Sequence, residues 1–370
     1  MRITFILPIV TMSGGIKVVA IYARALVERG HEVVLISVPP PKISIRQQIK
    51  SFITGRGWPK YTIPDSHLDG LNLDHRVLDR CRPPMDADVP DADVVIATWW
   101  LTAEWVSQLS DSKGAKVYFI QGYEIYEHLP VERCHATYRL PFHKIVIAKW
   151  LQNVMRAEYG DADVDLVPNS VDHNQFFSMV RGKQPVPTVG FLYSNAKIKG
   201  VDVTMQAINK LRVAFPDLRV ISFGSVKPSQ NIYFDNGIEF NYSPEQDKIR
   251  DIYAQCDVWL TASRIEGFNL PAMEAMACRT PVVSTKAGWP EEAVKTARNG
   301  VLVEVDDVEA LAQGAASILS MSDDRWREMS RNSYDTVAAS SWQESTRQFE
   351  MALQRAYSRH RDVTNSKVLQ

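Results

Sequence analysis

One grammar is used twice along this chain, and it limits the available folds more than any other feature. Short apolar segments alternate with longer amphipathic ones, first from residue 3 and again from residue 188. Such alternation requires parallel strands joined by helices that cover both faces of a sheet. In the first half, residues 3–8 read as a strand and Gly14-Gly15 as the turn after it. Residues 18–29 read as a helix with Val18, Val19, Tyr22, Leu26 and Val27 apolar. Gly30 stops that helix and residues 32–37 form the next strand, which completes the opening βαβ unit of a doubly wound sheet. Further strands are expected at 94–98, 116–121, 143–148 and 164–167. Residues 39–93 carry Pro39-Pro40-Pro41 and Arg82-Pro83-Pro84, and read as a less regular excursion flanking the site.

A chain of 370 residues is too long for one ordinary core. The break falls at 170–187, where Pro168-Asn169-Ser170 makes a turn and a polar stretch with two prolines follows. The pattern then restarts with strands at 188–192, 218–223, 238–240, 258–261 and 281–284. Helices are expected at 201–215, 244–254, 271–278, near 307–320 and near 324–339. The domains predicted are 1–175 and 186–340. Residues 341–370 add a last helix at about 343–359, a candidate to pack back on the first domain, and a polar tail from Asp362 expected to fray.

Lys plus Arg (42) and Asp plus Glu (43) nearly cancel, so no overall field draws the chain to nucleic acid. The apolar start, residues 3–10, is too short to span a bilayer and lacks a small-residue cleavage site; a buried strand explains it. The four cysteines (Cys81, Cys134, Cys256, Cys278) show no paired short spacing. That fits a reducing, cytoplasmic setting better than a disulfide framework or a zinc site. Lys42, Arg46, Lys50, Arg56 and Lys60 cluster in the excursion, as a solvated basic loop or as a peripheral contact with a membrane.

The stretch Ser263 to Pro281, SRIEGFNLPAMEAMACRTP, carries the most chemistry. A strand end leads into a glycine-bearing loop and then a helix beginning about Pro271, where proline suits the first turn. The N–H groups of Gly267, Phe268, Asn269 and Leu270 then make an anion site suited to a diphosphate. Glu266 and Glu274 flank that site. Carboxylates beside an anion site suit the hydroxyls of a sugar and a ribose, or else are an exposed loop acid and a helix-pairing acid.

At this point the residues resemble a known family. Glu266-Gly267-Phe268-Asn269-Leu270-Pro271, Glu274-Ala275-Met276-Ala277 and Thr280-Pro281-Val282-Val283 are similar to the donor signature of glycosyltransferase family four, a large retaining family. Gly288-Trp289-Pro290-Glu291-Glu292 and Asn299-Gly300-Val301-Leu302-Val303 continue it in order. Val189-Gly190-Phe191, Lys199-Gly200-Val201-Asp202, Gly14-Gly15, Gly30-His31-Glu32-Val33 and Pro168-Asn169-Ser170-Val171-Asp172 match other family segments. The resemblance implies the GT-B fold: two doubly wound, α/β Rossmann-like domains facing across a cleft. It implies donor contacts from Gly14, Gly15, Gly190, Lys199, Glu266, Gly267, Phe268, Asn269, Leu270 and Glu274. In it Lys199 neutralises the departing diphosphate, Glu266 binds sugar hydroxyls and Glu274 the ribose. Two departures stand out. Phe191 occupies a position usually held by arginine, for which Arg264, Lys197 or Lys199 with the helix end would compensate; Arg279 stands where glycine is common.

On the acceptor side, Trp99, Trp100, Gln121, Tyr123 and Glu124 lie at strand ends expected to face the cleft, and residues 121–124 resemble a segment of rhamnosyltransferase-type members. Trp99-Trp100 reads equally as ordinary core. The implied reaction transfers a sugar, with retention, from a nucleotide diphosphate sugar to a glycan, lipid-linked or small-molecule acceptor. No metal or other cofactor is expected: the strand ends show no pair of aspartates, and Asp161-Ala162-Asp163 reads as a solvated turn. Three rival readings are an epimerase of similar fold, a dinucleotide oxidoreductase, and a sugar-binding protein that has lost activity. Against the oxidoreductase, Gly14-Gly15 has no third glycine at the fingerprint spacing.

Overall fold

The computed structural model describes residues 1–370 apart from 43–44, 55–56, 59–62, 229–236 and 369–370, and omits the side chains of 47, 50 and 364–368. Lys50's side chain, Arg56 and Lys60 of the expected basic cluster therefore lie outside the described residues. Contacts divide the chain into two units. The first comprises Met1–Val146, Gln152–Val167 and Thr346–Gln370; the second comprises Ile147–Leu151 and Pro168–Ser345. The first unit's main run thus ends before residue 175, because the turn at Pro168 already packs with the second unit.

The first unit holds β1 (Arg2–Ile6), β2 (Glu32–Ser37), β3 (Asp74–Val77), β4 (Val94–Ala97), β5 (Ala115–Ile120), β6 (His143–Val146) and β7 (Val164–Leu166). All pair in parallel, in the order β3-β2-β1-β4-β5-β6-β7. The helices among them are α1 (Gly14–Glu28), α2 (Ile45–Ile53), α3 (Trp100–Ser107), α4 (Val131–Tyr138) and α5 (Lys149–Tyr159). The central strands are continuous apolar runs because both faces are covered: every residue of β4 is buried. The excursion at 39–93 contains α2 and an edge strand, β3. Its sequence, Asp-His-Arg-Val, is polar because an edge strand needs little burial.

The second unit holds β8 (Thr188–Leu192), β9 (Arg219–Gly224), β10 (Ile238–Tyr242), β11 (Val258–Thr261), β12 (Val282–Thr285) and β13 (Gly300–Val303). This sheet is also parallel, in the order β10-β9-β8-β11-β12-β13. Its helices are α6 (Val201–Ala214), α7 (Ile249–Ala254), α8 (Leu270–Ala277), α9 (Trp289–Ala293), α10 (Val308–Leu319) and α11 (Asp323–Val337). The helix expected at 244–254 starts only at Ile249.

The last helix, α12 (Trp342–Val368), runs well beyond residue 359, through the stretch expected to fray. From Thr346 it belongs to the first unit. Phe349 is fully buried against Tyr22 (ring centroids 4.4 Å apart), Phe119 (5.0 Å) and Phe5 (6.4 Å). Glu350 pairs with Arg29 at 2.6 Å and with His31 at 2.9 Å, and these hydrogen bonds hold its carboxyl below the usual range against its burial.

Candidate functional site

In each sheet the order reverses between two neighbours, β1 and β4 in the first and β8 and β11 in the second. Ligands of open parallel sheets bind beyond the strand ends at such reversals. In the second unit the loop after β8 carries Lys199 and the loop after β11 carries Glu266. They meet: Lys199 Nζ lies 2.6 Å from Glu266 Oε1, with side chains 28% and 10% exposed. The Ser263 hydroxyl donates to the same carboxylate oxygen at 2.7 Å, so this oxygen is fixed from two sides. Lys199, Ser263, Glu266, Asn269 and Pro271 line one depression.

The loop geometry follows from local sequence. Gly200 has φ +60°, and a β-carbon there would fall 1.9 Å from the Ala262 carbonyl oxygen, so glycine lets α6 start beside β11. Asn269, at φ +78°, caps α8: its Oδ1 accepts from Ala272 N at 3.4 Å and its Nδ2 donates to Thr261 at 2.9 Å. Phe268 is buried and stacks on Trp289 (5.6 Å), which leaves its backbone, not its ring, for a ligand. The Gly267 carbonyl accepts the Trp150 indole N–H at 2.9 Å, while Glu292 accepts the Trp150 backbone N–H at 2.9 Å. Sequence reasoning missed Trp150, since nothing local marks a tryptophan 117 residues from the loop it holds.

Glu274 sits further into α8, buried, where the Tyr253 hydroxyl donates to it at 2.9 Å. Burial pushes the Tyr253 phenol well above its usual range. Gly190 lies inside β8, where a β-carbon would fall 2.5 Å from both Cys256 Sγ and the Trp259 ring. Packing accounts for that glycine without a ligand.

Both departures acquire physical accounts. Phe191 is fully buried in β8. Arg264 does not replace the absent arginine: its Nε donates to Asp306 (2.7 Å), and its terminal nitrogens donate to Asp202 (2.8 and 3.0 Å) and the Lys197 carbonyl (2.6 Å). It stitches the β8 and β11 loops together. Arg279 has φ +60° just past the end of α8, where Arg279 N donates to Met276 O and Thr280 N to Ala275 O. This is the left-handed helix stop at which glycine is favoured. Arginine holds it through the Ser178 carbonyl (3.2 Å) and the Tyr334 ring (4.2 Å).

In the first unit, Gly14 and Gly15 form the first turn of α1 instead of a turn preceding it, and neither has positive φ. A β-carbon on Gly14 would meet nothing within 4 Å, and one on Gly15 would make only ordinary contact with Gln121. Neither backbone strain nor packing within the unit explains these glycines. Trp99 is half-buried, and Trp100, the first residue of α3, is buried beneath the Arg133 guanidinium at 5.1 Å. Glu124 Oε2 accepts the Trp100 N–H at 2.8 Å and the Tyr118 hydroxyl at 3.4 Å. Burial outweighs both donors and pushes this carboxyl up to about 8. Tyr123 donates to Glu158 and lies 3.0 Å from the Tyr159 hydroxyl.

Asp161 and Asp163 are structural: Lys144 holds the first at 2.5 Å and Arg359 the second. Among the described residues no group of three His, Cys, Asp or Glu side chains is arranged to hold a metal. No described helix is long and apolar enough to cross a membrane.

Residues 185–321 match the family model of glycosyl transferases group 1. A D-inositol 3-phosphate glycosyltransferase from Corynebacterium urealyticum is 29% identical over 174 residues, 43% of this chain and 41% of that protein. An N-acetyl-alpha-D-glucosaminyl L-malate synthase from Bacillus anthracis is 28% identical over 130 residues, 33% of each chain. The matched stretch thus spans less than half the length of these relatives. Among solved structures, a sucrose-phosphate synthase from Thermosynechococcus elongatus superposes with TM-score 0.75 at 16% identity, covering 97% of this chain and 99% of that one. HepE from Anabaena, in complex with UDP and glucose, superposes with TM-score 0.72 at 15% identity, covering 96% and 100%. These likenesses show the GT-B fold.

Proposed function

We propose that this chain, whose second unit carries the domain of the glycosyl transferases group 1 family, is a retaining glycosyltransferase that moves a sugar from a nucleoside diphosphate to an acceptor hydroxyl. The observation that carries the reading is the Lys199–Glu266 pair at the β8/β11 reversal, beside the capped N-terminus of α8. A cation and a row of helix N–H groups suit a departing diphosphate, while a fixed carboxylate suits sugar hydroxyls. The UDP-bound state of the similarly folded HepE supports a nucleoside diphosphate ligand.

In the reaction proposed, the acceptor hydroxyl attacks the anomeric carbon from the face the diphosphate leaves. The bond from that carbon to the phosphate oxygen breaks, the new glycosidic bond forms, and the acceptor proton passes to the departing phosphate oxygen. Lys199 exchanges Glu266 for that oxygen as charge builds there, and the freed carboxylate oxygen takes a sugar hydroxyl. Glu274 holds the ribose, with Tyr253 fixing its carboxyl. Positioning and charge stabilisation supply the rate. Trp99, Trp100, Gln121, Tyr123 and Glu124 remain the proposed acceptor contacts and Gly14 and Gly15 proposed donor contacts, and a rhamnosyl donor rests on the likeness of the segment 121–124 alone. Metal independence follows if Lys199 and the α8 terminus suffice.

The test is a thermal-shift panel of UDP, dTDP, GDP and NAD, each with magnesium or with EDTA. Stabilisation by one diphosphate, equal in magnesium and EDTA, is expected. Stabilisation by NAD alone would refute the reading, and a requirement for magnesium would refute its metal-independent form.

A further inference from the structure

The loop between Glu266 and α8 is tied down at two consecutive peptides, and both ties come from tryptophans. The Trp150 indole N–H donates to the Gly267 carbonyl at 2.9 Å. The Trp289 backbone N–H donates to the Phe268 carbonyl, also at 2.9 Å, and its ring stacks on Phe268 with the planes 18° apart. Trp150 is itself held, since Glu292 of α9 accepts its backbone N–H at 2.9 Å. Residues Ile147–Leu151 belong to the second unit, so the whole arrangement lies within it. Gly288 completes it. At φ +74°, a β-carbon there would fall 2.9 Å from both the Phe268 carbonyl oxygen and Glu266 Cβ, so α9 starts pressed against the loop.

A trans peptide is planar, and its C=O and N–H point in opposite directions. Whatever fixes the Gly267 carbonyl therefore aims the Phe268 N–H, and whatever fixes the Phe268 carbonyl aims the Asn269 N–H. Neither N–H has a hydrogen-bond partner among the described residues. Glycine tolerates either orientation of the peptide that follows it, so nothing in Gly267 itself chooses the direction of the Phe268 N–H. Trp289 does not choose it either, because it grips the next peptide. That leaves Trp150.

We propose that Trp150 is a positioning residue for donor binding: by holding the Gly267 carbonyl it points the Phe268 N–H at the sugar-side phosphate of the donor. The inference rests on the transfer reaction proposed above, in which Glu266 takes the sugar and Glu274 the ribose, so that Phe268 comes on the sugar side of the diphosphate. The test uses the intact chain, the nucleoside diphosphate that stabilises it in the thermal-shift panel and the matching monophosphate, with affinities read by calorimetry. Trp150→Phe keeps a ring and removes the N–H. It should weaken the diphosphate by roughly tenfold, the scale of one hydrogen bond to a charged group, and leave the monophosphate unchanged. Glu292→Ala, which frees the Trp150 backbone, should show the same selective loss, and Glu292→Gln, which keeps an accepting oxygen, should restore it. Undiminished diphosphate binding by Trp150→Phe overturns the proposal, as does equal weakening of both ligands, which would make Trp150 a packing residue. A wild-type chain that binds no diphosphate refutes the transfer reading itself and removes this inference with it.

Discussion

Lys199 and Glu266 stand 67 residues apart in the chain and 2.6 Å apart in the structure. Losing a contact made in the transition state costs on the order of a hundredfold, so Lys199→Ala should lower kcat/KM about that much, mainly through kcat. Steady-state kinetics on the donor named by the thermal-shift panel reads this out, and full activity would remove Lys199 from the site. Glu274→Ala should do comparable damage, and because it also leaves the buried Tyr253 hydroxyl without its acceptor, Tyr253→Phe is the control that separates ribose binding from stability. Glu124 gives a pH prediction. Its carboxyl keeps its proton up to about 8 in the folded chain against 4.5 when unperturbed. Its contribution to stability is therefore complete below 4.5 and is lost as pH rises through 8. Glu124→Gln should flatten that part of the stability curve, and a parallel curve for the variant would show that the proton is elsewhere. The glycine loop and its two glutamates were legible because a helix start and a glycine turn are local. Trp150 on Gly267, Tyr253 on Glu274 and Arg264 between Asp202 and Asp306 were not, since each partnership exists only after the sheet has ordered its loops.

Elements were readable in proportion to burial. Strands such as β4 and β11, buried along their whole length, leave apolar runs that cannot be confused with loops. β3 escaped notice because it pairs on one side only, and α2 because its apolar face meets no core in the fold. The length of α12 was hidden for a different reason: its distal half is polar, and its anchor is the cluster of Phe349 with Tyr22, Phe119 and Phe5 near its start. Truncating a fully buried aromatic that touches three others leaves a cavity the neighbours cannot close. Phe349→Ala is expected to cost about 3–5 kcal/mol, measured by urea unfolding of the first unit's transition. A loss within a few tenths of the wild-type value would mean that α12 is dispensable to that core.

At the scale of the molecule, two cores of separate composition predict two responses to perturbation. The first unit closes with residues from both ends of the chain, Met1–Val146 and Thr346–Gln370, whereas Lys199, Glu266 and Glu274 all belong to the second. A nucleoside diphosphate that binds the folded second unit adds RT ln(1 + [L]/Kd), about 2.7 kcal/mol at a hundredfold excess over Kd, to the unit that holds it. In the function proposed above the diphosphate meets Lys199 and the α8 terminus and the ribose meets Glu274, all in the second unit, so that unit's transition should rise most. Phe349→Ala should lower the other transition and leave the ligand-dependent shift intact. Hydrogen exchange resolves the two, with β11 and β12 reporting the second unit and β1 and β5 the first. If the diphosphate protects β1 and β5 as strongly as β11 and β12 in the Phe349→Ala variant, the two cores unfold as one cooperative body and ligand energy is not confined to the unit carrying Lys199.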